Sequence, residues 1–480
     1  MNENILSWKD FSAMIPPFKS KVQVDTEWQR AVKQITQKIV VLDDDPTGIQ
    51  TIHNLPVYTS WNLPELKKIL KDKHHVVYIL TNSRALTFQK TQELHQQLIK
   101  DLNQAAREMK RDFLIISRSD STLRGHFPLE TKVLCEGLNE TKKIDGEIII
   151  PFFLEGGRFT VKDIHYVKEN DLLIPVGKTE FARDSVFGFQ ASNLKEWIEE
   201  KTNRQFASEK IKSISLEMLR RQDIEGILNI LLKISDFNKI IVNAVAYDDL
   251  KVFAIALAKS IVGGKNFIFR TAASFVRVIG GIAPRALLNA VDLYFHGRPD
   301  SPGLVIIGSY VQKTNRQINK LKELADLFWI EMDIHCVFSQ KYFHLEVKRI
   351  IVEIEKAFSI GKDVCVYTSR STVSIDGRTM SAEKYLNISS SISKGLTKVV
   401  EGIKIKPSFL LAKGGITSSD IGVQALKVKK AIVMGQIQPG IPVWRTGRES
   451  RFPGLPFVIF PGNVGSDDTL KKTLEILRGE

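Results

Sequence analysis

Short apolar runs recur along the chain, each closing in a polar or glycine-bearing turn before a stretch of helical spacing. In the first half the runs fall at 38–43, 76–81, 112–117, 146–151, 239–244 and 266–271, with helical patterns at 90–110 and 248–261 among the stretches between them. A second series follows at 303–309, 363–369, 408–414, 430–435 and 457–462, with a helix expected near 315–327. Buried strands alternating with amphipathic helices predict an α/β architecture with mostly parallel sheets. The stretch HGRPDSPG at 296–303 is the best linker, because Gly and Pro interrupt both periodicities there. The expected organisation is therefore an N-terminal segment 1–37 and two three-layer α/β domains, 38–297 and 298–480.

Composition narrows the class. With 43% hydrophobic and 25% charged residues the chain reads as a soluble globular protein. No apolar run reaches the length of a membrane span, and the N-terminus lacks the basic-then-apolar order of a signal peptide. Cys135, Cys336 and Cys365 stand far apart, which argues against a disulfide framework or zinc site and suits a reducing cytoplasm. The net charge of +14 comes from Lys and Arg spread along the whole chain. Without a basic helix or aromatic RNA-binding motif, that favours small anions over nucleic acid.

The candidate chemistry starts where the first apolar run breaks into Asp43, Asp44 and Asp45 followed by Pro46, Thr47 and Gly48. Three carboxylates on one turn repel unless cations or hydrogen-bond donors surround them. Two further runs end in TNSRAL (81–86) and SRSDSTLRGHFPLE (117–130). Parallel strands would bring these turns to one sheet edge, where Asp44, Asp45, Arg84, Asp120, Ser121, Arg124 and Gly125 could meet. Arginine binds carboxylates bidentately and aspartate can accept an alcohol proton, so the set suits an acidic, hydroxylated substrate. The bland alternative is a structural network in which the arginines neutralise the aspartates.

The second half carries a different kind of loop. Gly414, Gly415 and Thr417 follow one run, Gly462, Asn463 and Gly465 another, and Gly308 and Ser309 a third. Glycines let backbone N–H groups approach phosphate oxygens at a helix start. Two other patterns compete for attention. Gly177-Lys178-Thr179 imitates the end of a P-loop, but Leu172 occupies the upstream glycine position. Asp43-x-Asp45-x-Thr47 has the pattern of haloacid-dehalogenase-type phosphatases, in which Asp43 would be the nucleophile and Asp45 the acid/base. The nine histidines form no metal-like group, and no metal ligands are assigned.

Taken together these motifs resemble the four-carbon acid sugar kinases, which phosphorylate threonate, erythronate and 3-oxo-tetronate, over about 39–470. The family's Asp-Asp-x-Thr-Gly turn corresponds to Asp44–Gly48, and its Asp-Ser-Thr-Leu-Arg-Gly element to Asp120–Gly125. Gly157 and Arg158 with His165 and Tyr166 resemble its Gly-Arg element, and TEFARDSVFG (179–188) the loop that follows it. The resemblance implies a substrate domain and a nucleotide domain facing each other across a cleft, and ATP and Mg2+ as cofactors. It implies Asp44 or Asp45 as catalytic base, with Thr47, Arg84, Asp120, Ser121, Arg124, Gly125 and Arg158 on the sugar acid. Ser309, Gly414, Gly415, Ile416, Thr417, Gly462, Asn463 and Gly465 would bind the nucleotide. Departures are Val311 in place of a frequent Ser, the stretch 126–130, and the insertion-like 447–454. They leave open which acid is used, branched acids such as 3-oxo-isoapionate included. No nucleic acid or membrane partner is expected, and a homodimer is left open.

Overall fold

The computed structural model describes residues 4–19, 22–294, 297–309, 311–369 and 382–480. The chain forms two compact units, Met1–Thr51 with Ser60–Pro284, and Ile52–Thr59 with Arg285–Glu480.

The first unit is built on seven parallel strands in the order Lys212–Ile214, Asn238–Val242, Gly146–Ile150, Phe267–Thr271, Phe113–Arg118, Lys38–Asp43 and Val76–Leu80. Their apolar runs are continuous rather than alternating because both faces are covered. Ile39, Val40, Val41 and Leu42, for instance, are all buried. Helices Leu63–Lys71, Phe88–Met109 and Leu129–Asn139 pack together as one group. Val22–Val32, Leu216–Arg221, Ile224–Leu232 and Tyr247–Val262 form another. Phe88–Met109 shows the sequence logic plainly. The Thr87 hydroxyl caps its start, Lys110 in the left-handed region ends it, and Thr91, His95, Leu98, Ile99, Leu102 and Ala105 form its buried stripe.

The described residues of 1–37, a stretch expected as a separate segment, are built into this unit. Leu6–Ser7 pairs antiparallel with Leu172–Leu173, in a four-stranded sheet completed by Ile164–Glu169 and Arg158–Val161. Phe11 is fully buried among Trp8, Phe159 and Tyr166, with ring centroids 5.5–5.8 Å away. Trp28 donates its indole N–H to the Val278 carbonyl at 2.9 Å. Such aromatic anchors cost too much to leave in water, which is why the segment docks.

The second unit is a mixed sheet. Its order is Pro56–Tyr58, Lys430–Gln438, Ile441–Thr446, Pro456–Phe460, Leu410–Lys413, Leu304–Ile307, Asp363–Thr368 and Leu327–Met332. The first four strands are antiparallel, and the last five run parallel. Helix Gln312–Leu321 ends earlier than its expected 327, because Leu327 opens a strand after Asp326 turns the chain at φ 60°. The division between units lies at 284/285 rather than near 298. Arg285 Nη1 donates to the Met434 carbonyl at 2.8 Å, and Leu288 N to the Gln436 carbonyl at 2.7 Å, so this stretch follows the second sheet. His296, the first residue of the expected linker, lies outside the described residues. Among the described residues no helix is long and apolar enough to cross a membrane, and all three cysteines are buried.

Candidate functional site

In the first unit the strand Lys38–Asp43 delivers the aspartates to the C-terminal sheet edge. There the chain turns through the short 3-10 segment Pro46–Ile49. Asp45 caps that turn: its Oδ1 accepts from Thr47 N at 2.8 Å and from Thr47 Oγ1 at 2.5 Å. The neighbouring strand ends bring the cations. Arg84 grips Asp44 bidentately, Nη2 to Oδ1 at 2.6 Å and Nε to Oδ2 at 3.0 Å, and lies 3.5 Å from Asp45 Oδ2. Arg118 Nη1 donates to Asp43 Oδ1 at 3.0 Å and to Asp44 Oδ1 at 3.4 Å. Asp120 accepts from Arg124 Nε at 2.7 Å and from the Thr122 hydroxyl, and stands 3.9 Å from Arg84.

These surroundings give the three aspartates different characters. Burial lifts the Asp43 carboxyl to about 7, with Arg118 opposing. Burial also pushes Asp44 upward, against the pull of Arg84. For Asp45 burial is outweighed by Arg84, the Thr47 hydrogen bonds and Arg118, which hold it below the ordinary carboxylate range. Asp45 is also the most open of the three, its side chain 20% exposed against 3% for Asp44. Asp43, the nucleophile of the phosphatase pattern, lies buried beneath the turn with its carboxylate on Arg118. A nucleophile must face its substrate, and this one faces the protein.

The loop that carries Asp120 is fastened from below. Arg270 Nη1 donates to Ser119 Oγ at 3.0 Å and Nη2 to the Arg124 carbonyl at 3.1 Å. His165 Nε2 lies 2.8 Å from the Ser121 carbonyl, and burial lowers its pKa to about 4, so the ring is neutral there. Gly125, at φ 112°, passes so close that a Cβ would stand 3.3 Å from Asp44 Oδ2. The structure thus brings Asp44, Asp45, Thr47, Arg84, Asp120, Arg124 and Gly125 into one contact network. Arg158 joins it through Phe181, whose ring centroid is 5.0 Å from Arg124 Cζ and 5.8 Å from Arg158 Cζ.

In the second unit three adjacent parallel strands, Leu304–Ile307, Leu410–Lys413 and Pro456–Phe460, release the glycine loops. Gly308 N and Ser309 N both donate to the Lys413 carbonyl, at 3.1 and 3.2 Å. Ser309 Oγ and Thr314 Oγ1 are 2.9 Å apart, and a Cβ on Gly462 would lie 3.1 Å from that Ser309 hydroxyl. A Cβ on Gly308 would fall 2.2 Å from Thr417 Oγ1. Ser309, Gly414, Thr417 and Gly462 therefore form one compact cradle that side chains would fill. Gly415 opens the short helix Gly415–Asp420, and the Ile416 side chain points outward, 47% exposed. Asn463 and Gly465 lie further along their loop: the Asn463 carbonyl accepts from Lys313 Nζ at 3.3 Å, and Gly465 turns at φ 84° beside Thr469. Tyr310, between Ser309 and Val311, lies outside the described residues.

Several contributors carry no signal strong enough to single them out in the sequence: Arg118, Arg270, Phe181 and Lys413. Three share one signal, a charge at the end of an apolar strand, in FLIISR, FIFRT and LLAK. Buried charges need partners. Lys413, fully buried, finds the Pro461 carbonyl at 3.1 Å and the Phe460 ring at 4.0 Å.

Comparison with known proteins agrees with this division of labour. Residues 39–279 match the family model of a sugar-binding N-terminal domain, and residues 304–470 that of a nucleotide-binding C-terminal domain. Among solved structures, a Haemophilus influenzae protein of the DUF1537 family is 17% identical, with 91% of this chain and 100% of that chain covered at a TM-score of 0.58. A Salmonella typhimurium LT2 protein, provisionally named a tRNA synthase, is 14% identical over 91% and 98% of the two chains, at 0.59. At these identities the likeness is one of fold. No curated protein matches the sequence.

Proposed function

Because this chain belongs to the four-carbon acid sugar kinase family, we propose that it transfers the terminal phosphoryl group of ATP to a terminal hydroxyl of a small sugar acid. Threonate, erythronate, 3-oxo-tetronate and branched relatives such as 3-oxo-isoapionate form the substrate range. Asp45 is the base. Its carboxylate is held ionised by Arg84 and Thr47 and is the most open of the aspartate triplet, and this is the observation that carries the assignment. It takes the proton as the hydroxyl oxygen bonds to the γ-phosphorus and the bond to ADP breaks. Asp44, gripped by Arg84, keeps that arginine aimed at the site. Asp120, Ser121, Thr47 and Gly125 order the substrate hydroxyls, and the arginines beside them draw in its carboxylate.

Ser309, Gly414, Gly415, Ile416, Thr417, Gly462, Asn463 and Gly465 line the nucleotide site, where close backbone approach and hydroxyls suit phosphate oxygens. Mg2+ would supply charge neutralisation on those phosphates. No three His, Cys, Asp or Glu side chains gather among the described residues to hold a metal of their own, so the ion would be held by ATP oxygens and water. Phosphoryl transfer asks the protein mainly for alignment and charge stabilisation.

The test is ADP release from Mg-ATP across a panel of threonate, erythronate, 3-oxo-tetronate and branched sugar acids. Stimulation by one acid establishes the kinase and its substrate together. No stimulation by any acid, with phosphate esters hydrolysed in the absence of nucleotide, would replace the kinase with a phosphatase.

A further inference from the structure

Of the three arginines around Asp120, two are already engaged by the protein's own carboxylates. Arg84 binds Asp44, and Arg124 binds Asp120 and stands 3.8 Å from Asp184 Oδ2. Arg158 is placed differently. It donates from Nη1 to the Gly156 carbonyl, and its buried Nε has no hydrogen-bond partner among the described residues. Burial lowers its pKa, the attraction of Asp120 and Glu169 pulls the other way, and repulsion from Arg124 adds to the lowering. Arg158 therefore keeps donor capacity that no carboxylate of the described residues takes up, beside an Arg124 already paired with Asp120, and an anion arriving there would complete it.

What keeps them together is Phe181, which both guanidinium groups approach within cation–π range. The ring is itself well fixed. It sits in the 3-10 turn Glu180–Arg183, which is held by Phe189 N donating to the Ala182 carbonyl at 3.0 Å. It also packs against the core cluster that contains Phe127, Val176 and Trp197. Packing against that cluster asks only for an apolar side chain of this size. Only an aromatic one attracts two cations.

We propose that Phe181 is a specificity-determining residue of the sugar-acid site, its ring holding Arg124 and Arg158 together as the receptor for the substrate's carboxylate. The proposal rests on the kinase reading for the identity of the acid, but not for its binding. It gives Arg158 its missing partner and makes the turn 179–188 the selector for acids over neutral polyols. An aliphatic side chain of similar volume would keep the packing and lose the receptor.

Calorimetric titration of the full chain with D-threonate and, separately, with ATP tests this in the wild type, F181L and F181Y. The dissociation constant for threonate is expected to rise roughly tenfold in F181L, the scale of two partly desolvated cation–π contacts. It should return towards the wild-type value in F181Y, with ATP affinity within twofold throughout. Equal weakening for both ligands would mean a folding defect and overturn the proposal, as would unchanged threonate binding in F181L, failure of tyrosine to restore it, or no threonate binding in the wild type. Wild-type protein that binds threonate in this Phe181-dependent way, yet releases no ADP with any acid, would sink the kinase reading and leave the receptor standing.

Discussion

Replacing Gly48 by alanine puts one methyl group into the floor of the aspartate turn. Gly48 has no left-handed φ, so alanine suits its backbone. Through the unfolded chain alone, that substitution would stabilise the protein by about 0.4–1 kcal/mol. Sterically the position is closed. The new Cβ would stand 2.2 Å from Asp43 Oδ1 and 2.4 Å from Cζ and Nη1 of Arg118. Neither neighbour is the loose end of a surface side chain: Asp43 is 1% and Arg118 5% exposed, and they hold each other at 3.0 Å. Making room means displacing both groups by about 1 Å, away from the methyl that lies against each, which breaks the pair. Breaking a buried ion pair costs about 3–5 kcal/mol, so the steric loss wins and the net destabilisation is about 2–4 kcal/mol. At about 2.1 cal/mol/K per residue over the roughly 280 residues of this unit, that lowers the thermal midpoint by roughly 3–7 °C. Arg118 also touches Asp44, so turnover should fall with it. Differential scanning calorimetry and ADP release on the same preparation check both. An alanine variant with the wild-type midpoint and turnover would refute the idea that a rigid Asp43–Arg118 pair supports the site.

The Asp43 carboxyl, lifted by burial from an ordinary 3.8 to about 7, makes a second prediction with a definite sign. The folded state holds this proton more tightly than the unfolded chain, so the contribution is full below about pH 4 and is lost as pH rises through 7. Urea unfolding between pH 5 and 8 should therefore show a falling component in the wild type that D43N lacks; parallel profiles would remove Asp43 as its source. Asp45→Asn should lower turnover at least about a hundredfold with little change in the KM for ATP, measured by steady-state ADP release. Full activity would pass the base role to Asp44. In the second unit, Gly308→Ala would press a Cβ to 2.2 Å from Thr417 Oγ1. An about tenfold higher KM for ATP is expected, one hydrogen bond's worth, with the KM for the acid unmoved; an unchanged KM for ATP would take Thr417 out of the cradle.

Much of the strand framework is legible in the chain because buried parallel strands write themselves as unbroken apolar runs, and Ile39–Leu42 is the clearest case. The aspartate turn and the glycine loops are legible for a related reason: a run that ends abruptly in charge or glycine marks a sheet edge. The missing parts depend on partners distant in sequence. Nothing local to FLIISR says that Arg118 meets Asp43 seventy-five positions earlier, nor does TEFARDS announce that Phe181 lies against two arginines. The strand Leu327–Met332 is absent from the expected series, because the helix expected near 315–327 runs up to its first residue and only the turn at Asp326 separates the two. Lys430–Gln438 and Ile441–Thr446 are joined by a Pro-Gly turn, with Gly440 at φ 78°. That turn is a usable hairpin signal, obscured by the polar tail of the first strand.

The strand Pro56–Tyr58 belongs to the second sheet, while the residues on either side of its segment belong to the first unit. The chain thus passes between units at 51/52, 59/60 and 284/285, and no single cut separates them. A fragment starting at Arg285 would lack the strand that covers Lys430–Ile432, leaving unpaired backbone along a strand containing Ala431, Val433 and Ile437, all fully buried in the intact chain. Such an open edge invites pairing with other copies. The nucleotide-binding half should therefore be recovered as aggregate when expressed alone, and as soluble protein when residues 52–59 are supplied on the same chain or as a peptide. During synthesis, too, the second sheet waits for a strand made long before the rest of it, so the first-made unit must keep that strand available until the last hairpin emerges.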